Sequence, residues 1–330
     1  MGRRARTRRV ATTAALLASA MTISLAAGCG TPGDGRDDGR APDQELRHSP
    51  DGDEQTPVAE GSVLAVKIDN VARAKPQTGL DAADIVYVEQ VEGGLSRLMA
   101  VYASKLPETV GPVRSARESD LELLRQFDDP TLAFSGAQRK LLPLIDGAPL
   151  NAQPPGRTSG AYYRGTDRPA PHNLFLRPGR LLPSAPGAGA LTTGFRYGAA
   201  PSGGTADTSE TVRYPAARFT FTWSEDRAGW LVSQDGTPTV TSDGKRPAPA
   251  TVVVQYVTIR KSDYHDSAGN YTPYTETTGS GKAKVLRDGR AYDVDWKRAK
   301  PTDGTDFTTP DGNPVNFAEG QVWVVLAKAS

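Results

Sequence analysis

Cysteine is nearly absent, with Cys29 the only one in 330 residues. A lone thiol cannot build a disulfide framework within the chain, nor a multi-cysteine zinc or iron–sulfur centre. Histidine is almost as scarce, at His48, His172 and His265. The motifs that announce common chemistries are missing too. There is no His-Glu-x-x-His, no Gly-x-Ser-x-Gly, no Walker A loop and no Gly-x-Gly-x-x-Gly on a strand-to-helix turn. Nothing therefore calls for a cofactor or a metal, and neither His172 nor His265 comes with a nucleophile motif. Net charge is also lacking, since 39 Lys+Arg face 38 Asp+Glu. No large block is basic enough for nucleic acid, which needs a clustered positive face.

The charge that is present is unevenly spread. Residues 1–28 hold Arg3, Arg4, Arg6, Arg8 and Arg9 and no acid, followed by an Ala-rich apolar stretch from Val10 to Ala27. A positive start, an apolar run and small residues at its end make an export signal. Leu25-Ala26-Ala27-Gly28-Cys29 resembles the lipobox of bacterial lipoproteins, in which the cysteine carries a lipid anchor. The usual leucine three residues before the cysteine is displaced here to Leu25. Residues 29–61 follow as a disordered acidic tether: 30–60 carry nine acids and three bases, with Leu46 and Val58 their only large apolar residues. Too little can be buried there to offset the entropy of ordering. A coil of that length reaches roughly 30 Å, and its negative charge holds it off an anionic membrane surface. The expected location is the outer face of the cytoplasmic membrane.

From Ser62 the pattern changes. Val63–Ile68, Asp84–Glu89 and Leu98–Tyr102 are apolar runs of strand length, with Gly93-Gly94 permitting a tight connection between the last two. Ser115-Ala-Arg-Glu118 fits a capping box opening a helix with Leu121, Leu124 and Phe127 as its buried stripe. Ser135-Gly-Ala-Gln138 repeats the signal, with Pro143 limiting the second helix. Pro/Gly-rich loops follow, and from about Val212 the chain becomes β-rich. Phe219–Trp223 and Trp230–Ser233 flank a five- or six-residue turn, and Asp288-Gly289 sits between two alternating runs as a hairpin signal. The expected fold is α+β: an α/β domain at 62–210 and a mainly antiparallel β domain at 211–330.

Chemistry concentrates in few places. With Ser115 as N-cap, Arg114 and Arg117 sit at the positive end of a helix dipole, which calls for a compensating anion. That anion is internal (Glu89, Glu92 or Asp69) or a bound carboxylate or phosphate. Arg97, in Glu92-Gly-Gly-Leu-Ser-Arg97, is a second candidate, and Pro171-His172-Asn173 a third. The loop histidine either ties its own loop down or faces a ligand.

Taken in order, Ile68-Asp-Asn70, Lys75-Pro-Gln77, Ala83-Asp-Ile-Val-Tyr87, Glu92-Gly-Gly94 with Arg97, Gly111-Pro-Val-Arg-Ser-Ala-Arg117, Ser135-Gly-Ala137, Pro171-His-Asn-Leu174 and Gly320-Gln-Val-Trp323 resemble the YerB-like bacterial lipoproteins across nearly all of 62–330. The resemblance implies a membrane-anchored protein outside the cytoplasm and carries no activity. That family often places a carboxylate directly after the tyrosine, where this chain has Val88 and then Glu89, so no family role passes to Glu89. The leading expectation is a lipoprotein, anchored through Cys29, that binds an anionic or polar envelope component, such as a cell-wall fragment, or an envelope protein partner. It does so without catalysis, through Arg97, Arg114, Arg117, His172 and Asn173. One alternative is an envelope hydrolase with Asp69 and Glu92 as acid and base, which needs the two carboxyls about 5–9.5 Å apart. Another is a scaffold for a membrane complex, with a flat apolar patch in place of a charged cleft.

Overall fold

The computed structural model describes residues 61–265 and 269–330; the export signal, Cys29 and the tether up to residue 60 lie outside the described residues. The apolar runs fold as β1 (Leu64–Ile68), β2 (Ile85–Gln90) and β3 (Ser96–Tyr102), followed by the short β4 (Thr131–Ala133) and β5 (Asn151–Gln153). A ribbon of β6 (Tyr162–Arg164) and β7 (Leu174–Leu176) comes next, then two-residue β8 (Arg196–Tyr197) and β9 (Thr205–Ala206). Strands β10 (Ser209–Tyr214), β11 (Ala217–Ser224), β12 (Gly229–Gln234) and β13 (Thr237–Pro238) form an antiparallel meander. The chain continues with β14 (Thr251–Val257), the hairpin β15 (Ile259–His265) and β16 (Tyr271–Thr275), then β17 (Gly279–Arg287) and β18 (Arg290–Arg298). It closes with β19 (Asp306–Thr308), β20 (Asn316–Phe317) and β21 (Val322–Lys328).

One large mixed sheet takes strands from both halves of the chain, in the order β19-β18-β17-β14-β21-β2-β3-β1-β4-β5, with β9 added beside β18. Strand β21 lies parallel to β2 on one side and to β14 on the other. Residues expected in separate domains therefore share a hydrogen-bonded ladder. The two faces are buried by different partners. Val66, Val88, Val254 and Trp323 point to the face covered by the meander, through Phe219, Phe221 and Trp230. Ala65, Tyr87, Met99 and Val324 point to the other, covered by Leu123, Phe127, Phe134 and Ile145. Burial on both sides explains why β1, β2 and β21 read as unbroken apolar runs instead of alternating ones.

Among the described residues α-helix is confined to two short segments, α1 (Glu118–Leu124) and α2 (Leu142–Asp146), beside a few 3-10 turns. Both starts depart from the sequence expectation. The N-cap of α1 is Arg117, not Ser115, and its N3 residue Asp120 accepts the Arg117 amide at 2.7 Å. Ser115 is held instead in extended chain: the Arg114 amide donates to Lys67 O at 2.8 Å and that of Ala116 to Gly136 O at 3.0 Å. Pairing along the sheet has overridden a local capping pattern. The second start moves from Ser135 to Leu141, and Pro143 falls in the first turn of α2, where its missing N–H costs nothing. Among the described residues β4–α2–β5 is the one pair of successive parallel neighbours joined through an α-helix, so the regular alternation expected up to residue 147 is reduced to one unit. Asp288-Gly289 makes its hairpin, closing the pair Arg287↔Arg290 with both turn residues at positive φ. The β11–β12 turn is tighter than expected, because pairing runs on to Ser224↔Gly229.

Candidate functional site

A two-residue step along each strand carries the α1-side face from core to site. On β1 the series Val63, Ala65 is continued by Lys67 and Asp69; on β2, Ile85 and Tyr87 by Glu89; on β3, Val101 and Met99 by Arg97. Because β1 and β2 both run antiparallel to β3, their carboxyl ends meet. At that end lie Asp69-Asn70, Glu92 and Ser135, and the loop between β6 and β7 brings His172 to them. Open sheets place their binding crevices there as well.

The charged groups are buried and interlocked. Lys67 Nζ lies 2.6 Å from Asp120 Oδ1 and 3.0 Å from Glu89 Oε1, with no part of the lysine side chain exposed. Asp69 Oδ2 meets Arg114 Nε at 3.1 Å and His172 Nδ1 at 2.8 Å. Arg117 grips Glu92 in a fork, Nε to Oε1 at 2.7 Å and Nη2 to Oε2 at 2.8 Å. The Thr272 hydroxyl, from the β15–β16 hairpin, also donates to Glu92 Oε1, at 2.7 Å. Arg97 Nη1 donates to Ser115 O at 3.2 Å, tying β3 to the segment ahead of α1. Gln77 and Asn70 extend the network, Gln77 Nε2 donating to Asn70 Oδ1 at 2.8 Å and Asn70 Nδ2 to Ser96 Oγ at 2.9 Å.

The protonation consequences follow from burial and partners. Burial alone would raise the Glu92 carboxyl, but Arg117, with its two hydrogen bonds, together with Arg97 and Thr272, brings it down to about 2. Glu89 goes the other way, to about 7, because burial and the nearby Asp120 outweigh its attraction to Lys67. Burial, reinforced by Arg117, lowers Arg97 to about 10. Four cations (Lys67, Arg97, Arg114, Arg117) and four carboxylates (Asp69, Glu89, Glu92, Asp120) make up the cluster, so with all of them ionised their charges cancel.

Of the residues expected at a site, Asp69, Glu92, Arg97, Arg114, Arg117 and His172 thus come together in one network. Asn173 sits at its edge, accepting from Arg164 Nη1 at 2.9 Å and donating to Gly165 O at 2.8 Å. The network also contains Glu89, weighed in the sequence as an internal anion for the arginines, and Lys67 and Asp120, which sequence reasoning left out. Their one visible signal was a lysine inside an apolar run, which needs buried carboxylates to face it. Glu92, ionised throughout the neutral range, holds no proton to deliver as a general acid, and Asp69 is occupied by two basic partners. His172 is the more accessible member of its pair, at 14% side-chain exposure against 1% for Asp69.

A mixed sheet closed over a buried ion-pair network at the carboxyl ends of β1 and β2 is the class of protein that fold and site define. Residues 51–191 match the family described as "Protein of unknown function (DUF3048) N-terminal domain", and residues 210–324 match its C-terminal domain. The chain belongs to this YerB-like family. It is 24% identical over 283 residues to "Putative lipoprotein YerB" of Bacillus subtilis (strain 168), covering 81% of each protein. The crystal structure of the YerB protein from Bacillus subtilis superposes with a TM-score of 0.67 at 21% identity, over 81% of this chain and 91% of that one. The two therefore share a fold. Among the described residues no helix is long and apolar enough to cross a membrane.

Proposed function

We propose that this protein is an extracytoplasmic lipoprotein, anchored through Cys29 to the outer face of the cytoplasmic membrane, whose folded part binds an anionic or polar component of the cell envelope without catalysing a reaction. The lipobox-like Leu25–Cys29 and the relative's description as a lipoprotein support the anchor. One observation supports the binding reading: the sequence motifs, dispersed from Asp69 to Asn173, converge at the carboxyl ends of β1 and β2, with His172 more exposed than the Asp69 carboxylate it binds. Arg97, Arg114 and Arg117 are each at most 6% exposed and have internal partners. Arg114 holds Asp69, and through it the imidazole, while Arg117 holds Glu92 and Arg97 ties β3 to the segment ahead of α1. Contact with a ligand falls to His172 and the loop that carries it.

The test is thermal unfolding of the full-length protein in an uncharged detergent, with muropeptide, poly(glycerol phosphate) and inorganic phosphate each added in turn. A ligand at 100 times its Kd stabilises the folded state by roughly 2.7 kcal/mol. A shift with one of them that His172→Ala abolishes while staying folded supports the reading. Absence of any shift across the panel counts against it.

A further inference from the structure

The β6–β7 ribbon presents a second face that none of the motifs covers. Its inner side chains, Leu174 and Leu176, enter the core. On the outer face four side chains stack in a row. The Arg177 guanidinium lies 4.2 Å from the Tyr163 ring centroid, Tyr163 stacks on Phe175 at 5.6 Å and 25°, and Arg168 covers Phe175 from the far side at 5.8 Å. The charge around this row is one-sided. Between residues 154 and 182 the chain carries Arg157, Arg164, Arg168, Arg177 and Arg180 against a single acid, Asp167, which Arg168 already holds at 2.6 Å. Arg157, Arg177 and Arg180 are all exposed. Arg157 precedes β6, and Arg177 and Arg180 follow β7, so all three belong to the same end of the antiparallel ribbon, where the Gly160 carbonyl accepts from Arg177 Nη1 at 3.3 Å. Among the described residues no acid pairs with any of the three.

We infer that the outer face of this ribbon is a docking strip for a phosphodiester-linked polyanion. The inference rests on the anionic-ligand reading above and gives that ligand a chemistry and a surface. A guanidinium held flat on an aromatic ring keeps its in-plane N–H groups for an acceptor, and its fork fits two phosphate oxygens. The row from Arg177 through Tyr163 and Phe175 to Arg168 runs across the ribbon, with further arginines in the segments that flank it, an arrangement that suits a repeating anion better than a single one. A bilayer surface fits less well, because docking to it adds buried apolar side chains to the charge. The exposed large apolar residues among those described are Leu95, Leu144, Tyr197, Val240 and Tyr271, none of them on the ribbon.

The test is equilibrium binding of synthetic poly(glycerol phosphate) to the full-length protein in uncharged detergent, over a range of salt. Each phosphate deprived of its arginine lowers the slope of log K against log salt by roughly 0.7, the value for a single-stranded polyphosphate. The triple variant Arg157→Gln/Arg177→Gln/Arg180→Gln should therefore lose about two units of slope and weaken binding at low salt by about tenfold or more. All three side chains are exposed, so its melting temperature should match the wild type. The triple Lys297→Gln/Lys300→Gln/Lys328→Gln, an equal charge change on the other half of the sheet, should leave both quantities within about twofold. Equal losses in the two triples overturn the inference. So does equal affinity for poly-L-glutamate, or capture by phosphatidylglycerol vesicles without binding of the soluble polymer. If the arginine triple binds normally and His172→Ala does not, the strip is wrong and the site reading stands. If no panel ligand binds at all, both fall.

Discussion

Replacing Arg117 by methionine isolates the energetics of the buried network. The side chain keeps an unbranched apolar stem and loses its charged end, leaving the Glu92 carboxylate with Thr272 and Arg97 near it and no fork around it. Lowering that carboxyl from 4.5 to about 2 corresponds to about 3 kcal/mol, at 1.36 kcal/mol for each tenfold change in proton affinity. Breaking one partner of a buried pair costs roughly 3–5 kcal/mol by a separate route, and the two figures agree. The pH dependence has a definite sign. A depressed carboxyl contributes stability that is present above 4.5 and is lost as the pH falls towards 2. Urea unfolding of wild type and Arg117→Met at pH 7 and pH 3 should therefore differ by about 3 kcal/mol at neutral pH and much less in acid. The double variant Arg117→Met/Glu92→Leu should recover at least half of the loss, because a matched apolar pair leaves no stranded charge. A single variant within about 1 kcal/mol of wild type at pH 7, the median worth of a surface pair, would refute the reading of this network as sealed from water. A double variant no better than the single one would refute it equally.

Glu89→Gln should make the protein more stable at pH 8 than the wild type: a carboxyl raised to about 7 contributes stability fully present below 4.5 and lost as the pH rises through 7. Urea midpoints at pH 5 and pH 8 test this, and a variant less stable at pH 8 contradicts it. Gly281→Val would put a Cβ 2.8 Å from Trp296 Nε1 and 3.2 Å from Tyr256 O, in the path of the 2.9 Å indole-to-carbonyl hydrogen bond. Overpacking of this kind costs about 1–3 kcal/mol, readable by tryptophan fluorescence in urea; an unchanged midpoint would mean that the indole swings aside freely. Cys29→Ser should abolish incorporation of an alkyne-tagged fatty acid and release the protein from the membrane fraction, whereas persistent labelling would place the anchor elsewhere.

Local pattern revealed strands well and ends of helices badly. Val63–Ile68 and Gln321–Leu326 were readable because burial on both faces leaves a continuous apolar stretch, and Asp288-Gly289 because its turn chemistry is local. Ser115 misled for the opposite reason: what holds it extended is the carbonyl of Lys67, nearly fifty residues away. The arginines of the site stood out because cations ahead of a helix need an explanation. Lys67 and Asp120 did not, since their meeting depends on contacts between distant segments. The union of both halves in one sheet was hidden for the same cause: nothing in Val322–Lys328 says that it will lie between β2 and β14.

That placement of β21 also sets an order of events as the chain is made. Until β21 emerges, more than two hundred residues after β2, the inner edges of β2 and β14 have no neighbour and the two halves of the sheet cannot join. The segments that precede it are left with incomplete pairing and open to capture by holding chaperones. Closure of the sheet is thus a late, all-or-none step. A chain cut short before Val322 should be degraded as a whole and not accumulate as a folded amino-terminal fragment.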